Sequence, residues 1–550
     1  MIKRLKFRTW IVILLSTYWI YHWNLIDYQL DLTSDKRYSL SSKTKEFIDS
    51  IDQSISIDVL LTGNLPPSFL RLKSELNELL KSVERLNPLI SFSILDRRWL
   101  EKNEAVISVL DNMGVQPHYV FENKRNITNQ ITLYPWILVH GEEKSIPISL
   151  LPETSYETQE EDILKAIEQL ELHLVEGIYQ AWNKKNKNIA VLSSHKTSEQ
   201  LYITDFLLSL KGFYNIASFD FKAEQISNEQ TLENLDRFDI LVVSNPIKSF
   251  SIEEKFILDQ FTCNGGKILW LINPLIANPQ DLYANEQGFI PEINSLGLED
   301  LFFKNQFRFQ NQFVGDLYSG PVVLATGSNQ SPQYAPFLYP YFPIIKPVEN
   351  HPITNDINSV LMRLVSPIDT LEGKLDKTIL LQSSSYSKLS GFPVNLNLKM
   401  ASIPINPESF IDQNFVTGVL LEGRFESLFK NRVHPFKPNK YSESGEGKWV
   451  VLSDGNFAEN QTDRNEPLPL GFDKWTNINY ENKQFLTNIV HYLADVDEIL
   501  SLNRKQIRLS QINQATISGD NIGLKSFMLI LPFVFIGIFW LCLNYMTGVK

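Results

Sequence analysis

The chain has 550 residues, 43% of them hydrophobic and 21% charged, the balance of a folded protein with room for more than one domain. Its net charge of -12 excludes nucleic acid as its natural partner. Only two cysteines occur, Cys263 and Cys542, the second inside an apolar run, so the rest of the chain depends on its hydrophobic cores and not on an internal disulfide framework.

Residues 1–9 carry Lys3, Arg4, Lys6 and Arg8 and no acid. The apolar run 10–26 follows. Tyr18, Trp19, Tyr21 and Trp23 crowd its far end, where a signal peptidase would need small residues, so the run reads as an uncleaved transmembrane anchor. Near the other terminus, Phe527 to Met546 contains no charged side chain. At about 1.5 Å per residue it matches a hydrocarbon core about 30 Å thick, so 524–546 is expected to be a second transmembrane helix. The basic first flank predicts a cytoplasmic start. Two spans then return residues 547–550 to the cytoplasm. The expected location is the inner membrane, with the bulk of the chain in the periplasm and lipid around both spans. Within the second span, Gly537 permits close helix approach and Phe533 and Trp540 offer packing surface, a candidate docking face for a neighbouring helix.

Between the anchors the pattern is α/β. In 27–156, Phe47, Ile48 and Ile51 mark a short helix, and SISIDVLLTG reads as a strand. The leucines of LPPSFLRLKSELNELLKSVERL fall at helical spacing behind Pro66 and Pro67. LISFSILD is a second strand, EKNEAVISVLDNMG a second helix, and 130–140 with 144–150 an expected hairpin turning at Gly141. This order predicts a small domain of thioredoxin-like shape, without the C-x-x-C of redox chemistry. Residues 157–185 form an expected linking helix, with Glu160, Glu161 and Asp162 at its start and Lys184, Lys185 and Lys187 past its end, as the helix dipole favours.

Residues 186–500 are expected to form a doubly wound, Rossmann- or amidotransferase-like domain. NIAVLSSH, RFDILVVSNP and KILWLINP are buried-type strands, and Ser251 with Glu254 is a capping box. Further strands are expected near 306–314, 377–382 and 448–453, separated by proline-rich loops such as YAPFLYPYFPIIKP. A last helix, 482–494, leads through the linker 501–523 to the second span.

Chemistry-bearing motifs are few. There is no G-x-x-x-x-G-K-[ST], no G-x-G-x-x-G, no H-E-x-x-H and no G-x-S-x-G, so the chain is not itself expected to hydrolyse ATP, hold a metal or carry a cofactor. In doubly wound sheets, ligands bind beyond the carboxyl ends of the strands. Those ends here offer Ser194, His195, Asn245, Asn273, Asp454 and Asn456 as candidate ligand-binding residues. Ser194, His195 and Asp454 have the types needed for a nucleophile, base and orienter. Such residues are also ordinary turn and cap formers. An amidotransferase would need a nucleophilic cysteine after a strand, whereas Cys263 falls in a helix.

Four blocks, LTSDKRYSLSSKTK, FSIEEKFILDQFTCNGGKILWLINP, LLEGRFESLFKNR and LPLGFDKWTNINYENKQFLTNIVHYLADV, together resemble the gliding-motility-associated ABC transporter auxiliary (GldG) family of Bacteroidetes. The resemblance covers the whole chain, both anchors included. It implies a non-catalytic, substrate-binding-like subunit that works with a permease and an ATPase on separate chains. Two other readings remain: an anchored extracytoplasmic hydrolase using the strand-end crevice, and a purely structural tether of the envelope.

Overall fold

The computed structural model describes residues 40–496, 500 and 540, apart from 96–103, 125–126, 153–157, 223–225, 286, 329–330, 349, 356 and 404–405. Among the described residues no helix is long and apolar enough to cross a membrane. The expected spans 10–26 and 524–546 lie outside the described residues, Trp540 excepted.

The amino-terminal part is built on alternation. In β1 (Ile55–Val59) the side chains of Ile55, Ile57 and Val59 are buried while Ser56 faces out. Helix α1 (Ser42–Ser50) precedes it, capped by the Ser41 side chain. Helix α2 (Pro67–Leu86) buries Phe69, Leu72, Leu76, Leu80 and Val83, one stripe at three- and four-residue spacing. Strand β2 (Ile90–Ile94) runs parallel to β1. After helix α3 (Glu104–Asn112), the expected strand 130–140 is broken at Tyr134 and Pro135. Its first part, β4 (Ile127–Leu133), pairs with β3 (His118–Lys124) as a separate hairpin. Its second part, β5 (Trp136–His140), pairs antiparallel with both β1 and β6 (Ser145–Ser149). Proline explains the break, because it supplies no ladder N–H. The resulting sheet has the order β2-β1-β5-β6.

Helix α4 (Gln159–Trp182) opens with a full capping box between Thr158 and Glu161. It covers the first sheet closely: a Cβ on Gly177 would stand 2.7 Å from Ile148 Cγ1, and one on Gly141 2.3 Å from the Ala181 carbonyl oxygen. Glycine is required at both close approaches. At its far end Tyr179 meets Phe213, so α4 also leads into the second sheet.

That second sheet begins with β7 (Asn188–Leu192), helix α5 (Gln200–Lys211), β8 (Asn215–Phe219), helix α6 (Asn228–Leu235) and β9 (Ile240–Ser244). Helix α7 (Ile252–Cys263) carries the expected capping box and is followed by β10 (Lys267–Leu271). Here the chain departs on a long excursion before returning. Within the excursion, β11 (Ser319–Ser328) and β12 (Ser331–Ile345) form a long antiparallel ribbon, and the end of β12 also pairs with Val360–Leu361. The sequence YAPFLYPYFPIIKP is therefore strand, not loop. Pro332 and Pro336 fall at even spacing, which puts their missing N–H groups on one side of the strand, while Pro340 and Pro343 lie where the register with β11 shifts.

The chain re-enters the sheet with β13 (Asp376–Gln382), β14 (Val416–Glu426) and β15 (Ser444–Leu452), then ends in helix α8 (Asn482–Leu493). The seven strands lie in the order β13-β14-β15-β10-β9-β7-β8. The five from β15 to β8 are mutually parallel; β14 is antiparallel to β15, and β13, antiparallel to β14, runs in the direction of the five again. Strands β9 and β10 read as continuous apolar runs because both sheet faces are covered. Phe256, Ile257 and Phe261 of α7 pack with Trp270 and Trp449 in one layer. On α8, Phe485, Leu486, Ile489 and Val490 are fully buried.

Candidate functional site

The sheet order fixes which strand ends can meet. Immediately after β7 the backbone turns through positive φ at His195 (62°) and Lys196 (50°), and after β9 at Asn245 (51°). These turns fold the side chains back over the sheet. Ser194 Oγ lies 2.8 Å from His195 Nδ1, and His195 Nε2 lies 3.2 Å from Glu254 Oε2. The imidazole stacks on Phe250 with ring centres 3.9 Å apart, and its side chain has no exposed surface.

Glu254 also accepts a hydrogen bond from the Ser251 N–H at 2.7 Å, the α7 capping box. Burial alone would raise its carboxyl, but the bonds from His195 and Ser251 outweigh it and hold the group below its ordinary value. The carboxylate against His195 is thus Glu254. The expected partner, Asp454, sits at the end of β15, three strand spacings from β7, or roughly 14 Å. A Ser–His–carboxylate chain exists, but its imidazole has no exposed surface and Ser194 is buried. What it does chemically is cap α7 and hold the β7 turn.

Asp454 has a different role. It is almost wholly buried and accepts from the backbone N–H groups of Arg363 (2.8 Å) and Asn456 (2.9 Å). Burial pushes its carboxyl up to about 7 in spite of those bonds.

The three remaining candidates are joined to one another. Asn273 Nδ2 donates to Asn245 Oδ1 (3.2 Å) and Asn456 Oδ1 (2.7 Å), and Asn273 Oδ1 accepts from the Gly455 N–H (2.6 Å). Asn456 Nδ2 continues to Glu459 Oε2 at 2.8 Å, and Glu459 Oε1 accepts from Ser198 Oγ at 2.6 Å. This network ties the ends of β9, β10 and β15 to the loop after β7. Nearly all of its polar atoms are satisfied from within the protein, so the strand ends are stitched together where a crevice was expected.

An opening does exist, displaced to one side. A cleft of about 280 Å³ lies between the loop after β15 and the β11–β12 ribbon. Arg363, Asn456, Glu459 and Gln461 line its inner part, and Tyr202, Tyr283, Lys474 and Trp475 line its outer part. Of the six strand-end candidates only Asn456 reaches it. Arg363 escaped the sequence reading, although a signal existed: it is the lone charge in the apolar stretch Val360–Val365.

Of the membrane-docking candidates, Phe533 and Gly537 lie outside the described residues, and Trp540 is helical and exposed. Among the described residues no cluster of His, Cys, Asp or Glu could hold a metal ion.

Comparison with known proteins adds the following. Residues 186–489 match the model of a family described as an ABC-type uncharacterized transport system, and residues 34–140 match a Domain of unknown function (DUF7088). An uncharacterized protein of Borreliella burgdorferi is 19% identical over 515 residues, covering 92% of this chain and 90% of that protein. Among solved structures, the mmIFT52 N-terminal domain aligns at 13% identity with a TM-score of 0.33, over 56% of this chain and 97% of that domain.

Proposed function

Because the chain belongs to the auxiliary-protein family of ABC-type transport systems, whose model spans residues 186–489, we propose that it is a non-catalytic, substrate-binding-like subunit of an ABC transporter complex. A permease and an ATPase on other chains supply the pore and the energy. The observation that carries the non-catalytic part is the strand-end network. Ser194, His195, Asn245, Asn273 and Asn456 are engaged with protein partners, and the His195 side chain has no exposed surface to offer a substrate.

The finer architecture follows the same reading. The order β2-β1-β5-β6, with one parallel and two antiparallel pairings, supports a thioredoxin-like first domain. The parallel order β8-β7-β9-β10-β15 is that of a flavodoxin-type doubly wound sheet. The apolar runs 10–26 and 524–546 anchor this pair of domains in the inner membrane, with both termini cytoplasmic and the domains in the periplasm. The resemblance to the gliding-motility family makes gliding the process served.

Affinity purification of the full chain from native membranes in mild detergent tests the central claim. A permease and an ATPase should be recovered in stoichiometric amounts. Recovery of envelope structural proteins alone would favour the tether reading and sink this one. The hydrolase reading draws only on the Ser194–His195–Glu254 chain, whose imidazole has no exposed surface.

A further inference from the structure

The cleft beside the strand ends contains an arginine that no carboxylate bonds directly among the described residues. Arg363 is half-buried in its wall, and its backbone N–H is committed to Asp454 Oδ2. Among the described residues its guanidinium takes part in no ion pair. The acids of the same cleft, Glu459 and Asp473, take neutral donors and make no direct pair with Arg363. Glu459 accepts from Ser198 and Asn456, and Asp473 accepts from Gln461 at 3.0 Å and from Thr476 at 2.5 Å. Asp454 feels the Arg363 charge, which works against the rise that burial imposes on its carboxyl, but its two oxygens accept backbone N–H groups and form no direct pair with the guanidinium. A charge withdrawn from water without a partner is costly, and a bound anion removes that cost. The planar guanidinium fork suits the two oxygens of a carboxylate or phosphate.

The outer part of the cleft is of another kind. Tyr283 is 53% exposed and Trp475 65% exposed, two large aromatic faces at one mouth. Lys474 lies 5.2 Å from the Trp475 ring and donates to the Thr462 carbonyl oxygen at 2.7 Å, adding positive charge to the same edge. An arginine at the inner wall with aromatic faces outside is the layout expected for a small molecule with an anionic head and an apolar or ring-bearing body.

We propose that this cleft binds a small organic anion, its carboxylate or phosphate held by Arg363 and its body lying against Tyr283 and Trp475. Calling that anion the transporter's cargo or signal rests on the auxiliary-subunit reading above; the binding itself does not. Titration calorimetry on the full chain in mild detergent, at low salt and neutral pH, tests it with three probes: inorganic phosphate, phenyl phosphate and phenol.

Phenyl phosphate should bind more tightly than inorganic phosphate, and phenol should give no heat. Arg363→Gln should weaken both anions by at least about tenfold, with partial retention in Arg363→Lys. Trp475→Ala should bring phenyl phosphate down to the level of inorganic phosphate and leave the latter unchanged. Unaltered circular dichroism and thermal midpoint would show that the variants fold. No binding of either anion by the unmodified chain up to about 10 mM, or undiminished binding by Arg363→Gln, overturns the proposal. Partner recovery is measured on the same preparations. Binding without permease and ATPase would refute the transporter role and leave the site intact, and recovery of partners without binding would do the reverse.

Discussion

Replacing His491 by Asn is expected to change how acid unfolds the part of the chain built on the seven-stranded sheet. His491 lies on α8, 1% exposed, with Nδ1 2.6 Å from the Tyr214 hydroxyl. Burial holds the Tyr214 phenol far above its ordinary value, so the phenol stays protonated and donates. The proton on the imidazole is then on Nε2, which has no hydrogen-bond partner among the described residues. Burial pushes the imidazole from 6.5 down to about 3. The unfolded chain therefore binds this proton across a window in which the folded chain does not. Stability from this group is complete above pH 6.5 and is lost as pH falls towards about 3, at about 1.4 kcal/mol for each pH unit, or roughly 5 kcal/mol in all.

Asp454 runs the other way. Its carboxyl is raised from 3.8 to about 7, chiefly by burial, so the folded chain keeps a proton that the unfolded chain releases. That contribution is complete below pH 3.8 and is lost as pH rises through about 7, roughly 4 kcal/mol in all. Between these limits the two groups largely offset each other, and the unmodified domain should show a shallow pH dependence. In His491→Asn an acceptor remains for Tyr214 while the titration is gone. The smaller side chain should cost about 1–3 kcal/mol at neutral pH, and the gap to the unmodified chain should close near about pH 5 and reverse below it. Denaturant midpoints of the full chain in mild detergent, followed by tryptophan fluorescence at a series of pH values, read this directly. A gap that does not vary with pH would mean that His491 titrates normally in the folded state, and the reasoning would fail.

Two further expectations concern the site and the anchors. Gly455→Ala should destabilise the fold by about 1–3 kcal/mol, because a Cβ there would stand 2.5 Å from Asn245 Oδ1 and 3.0 Å from Asn273 Cγ; an unchanged thermal midpoint would show that the network yields without cost. Alkaline phosphatase fused after Gly315 should be active and the same reporter after Lys550 inactive, and the reverse pattern would invert the proposed topology.

Much of the α/β pattern was legible because its signals are local. Ser251 with Glu254 marks a helix start within four residues, the acids Glu160, Glu161 and Asp162 mark another, and the apolar runs of β9 and β10 announce two covered faces. What was not legible depended on distant partners. The ribbon strand β12 looked like a loop because its prolines were read without knowing which side would be paired. The pairing of His195 with Glu254 in place of Asp454 followed from strand order, which no local spacing encodes. Arg363 gained its meaning only when the excursion between β10 and β13 brought it over the end of β15.

The same excursion explains why the opening lies beside the topological switch point and not on it. Between β7 and β9, where a flavodoxin-type sheet leaves its crevice, the two loops bond to each other. Ile247 N–H and Lys248 N–H both donate to the His195 carbonyl oxygen at 3.0 Å, and Ser198 N–H donates to that of Ser244, also at 3.0 Å. The loop after β15 then leans across as far as α5, with Asn460 N–H on the Tyr202 carbonyl oxygen at 2.7 Å. These bonds close the centre of the sheet's carboxyl edge. The ribbon overhangs from the far side of that loop, so the remaining space is bounded by β15-loop residues on one wall and by Pro321, Val323 and Phe342 on the other. The pocket is therefore shared between the sheet's carboxyl edge, through Asn456 of the buried network, and the ribbon.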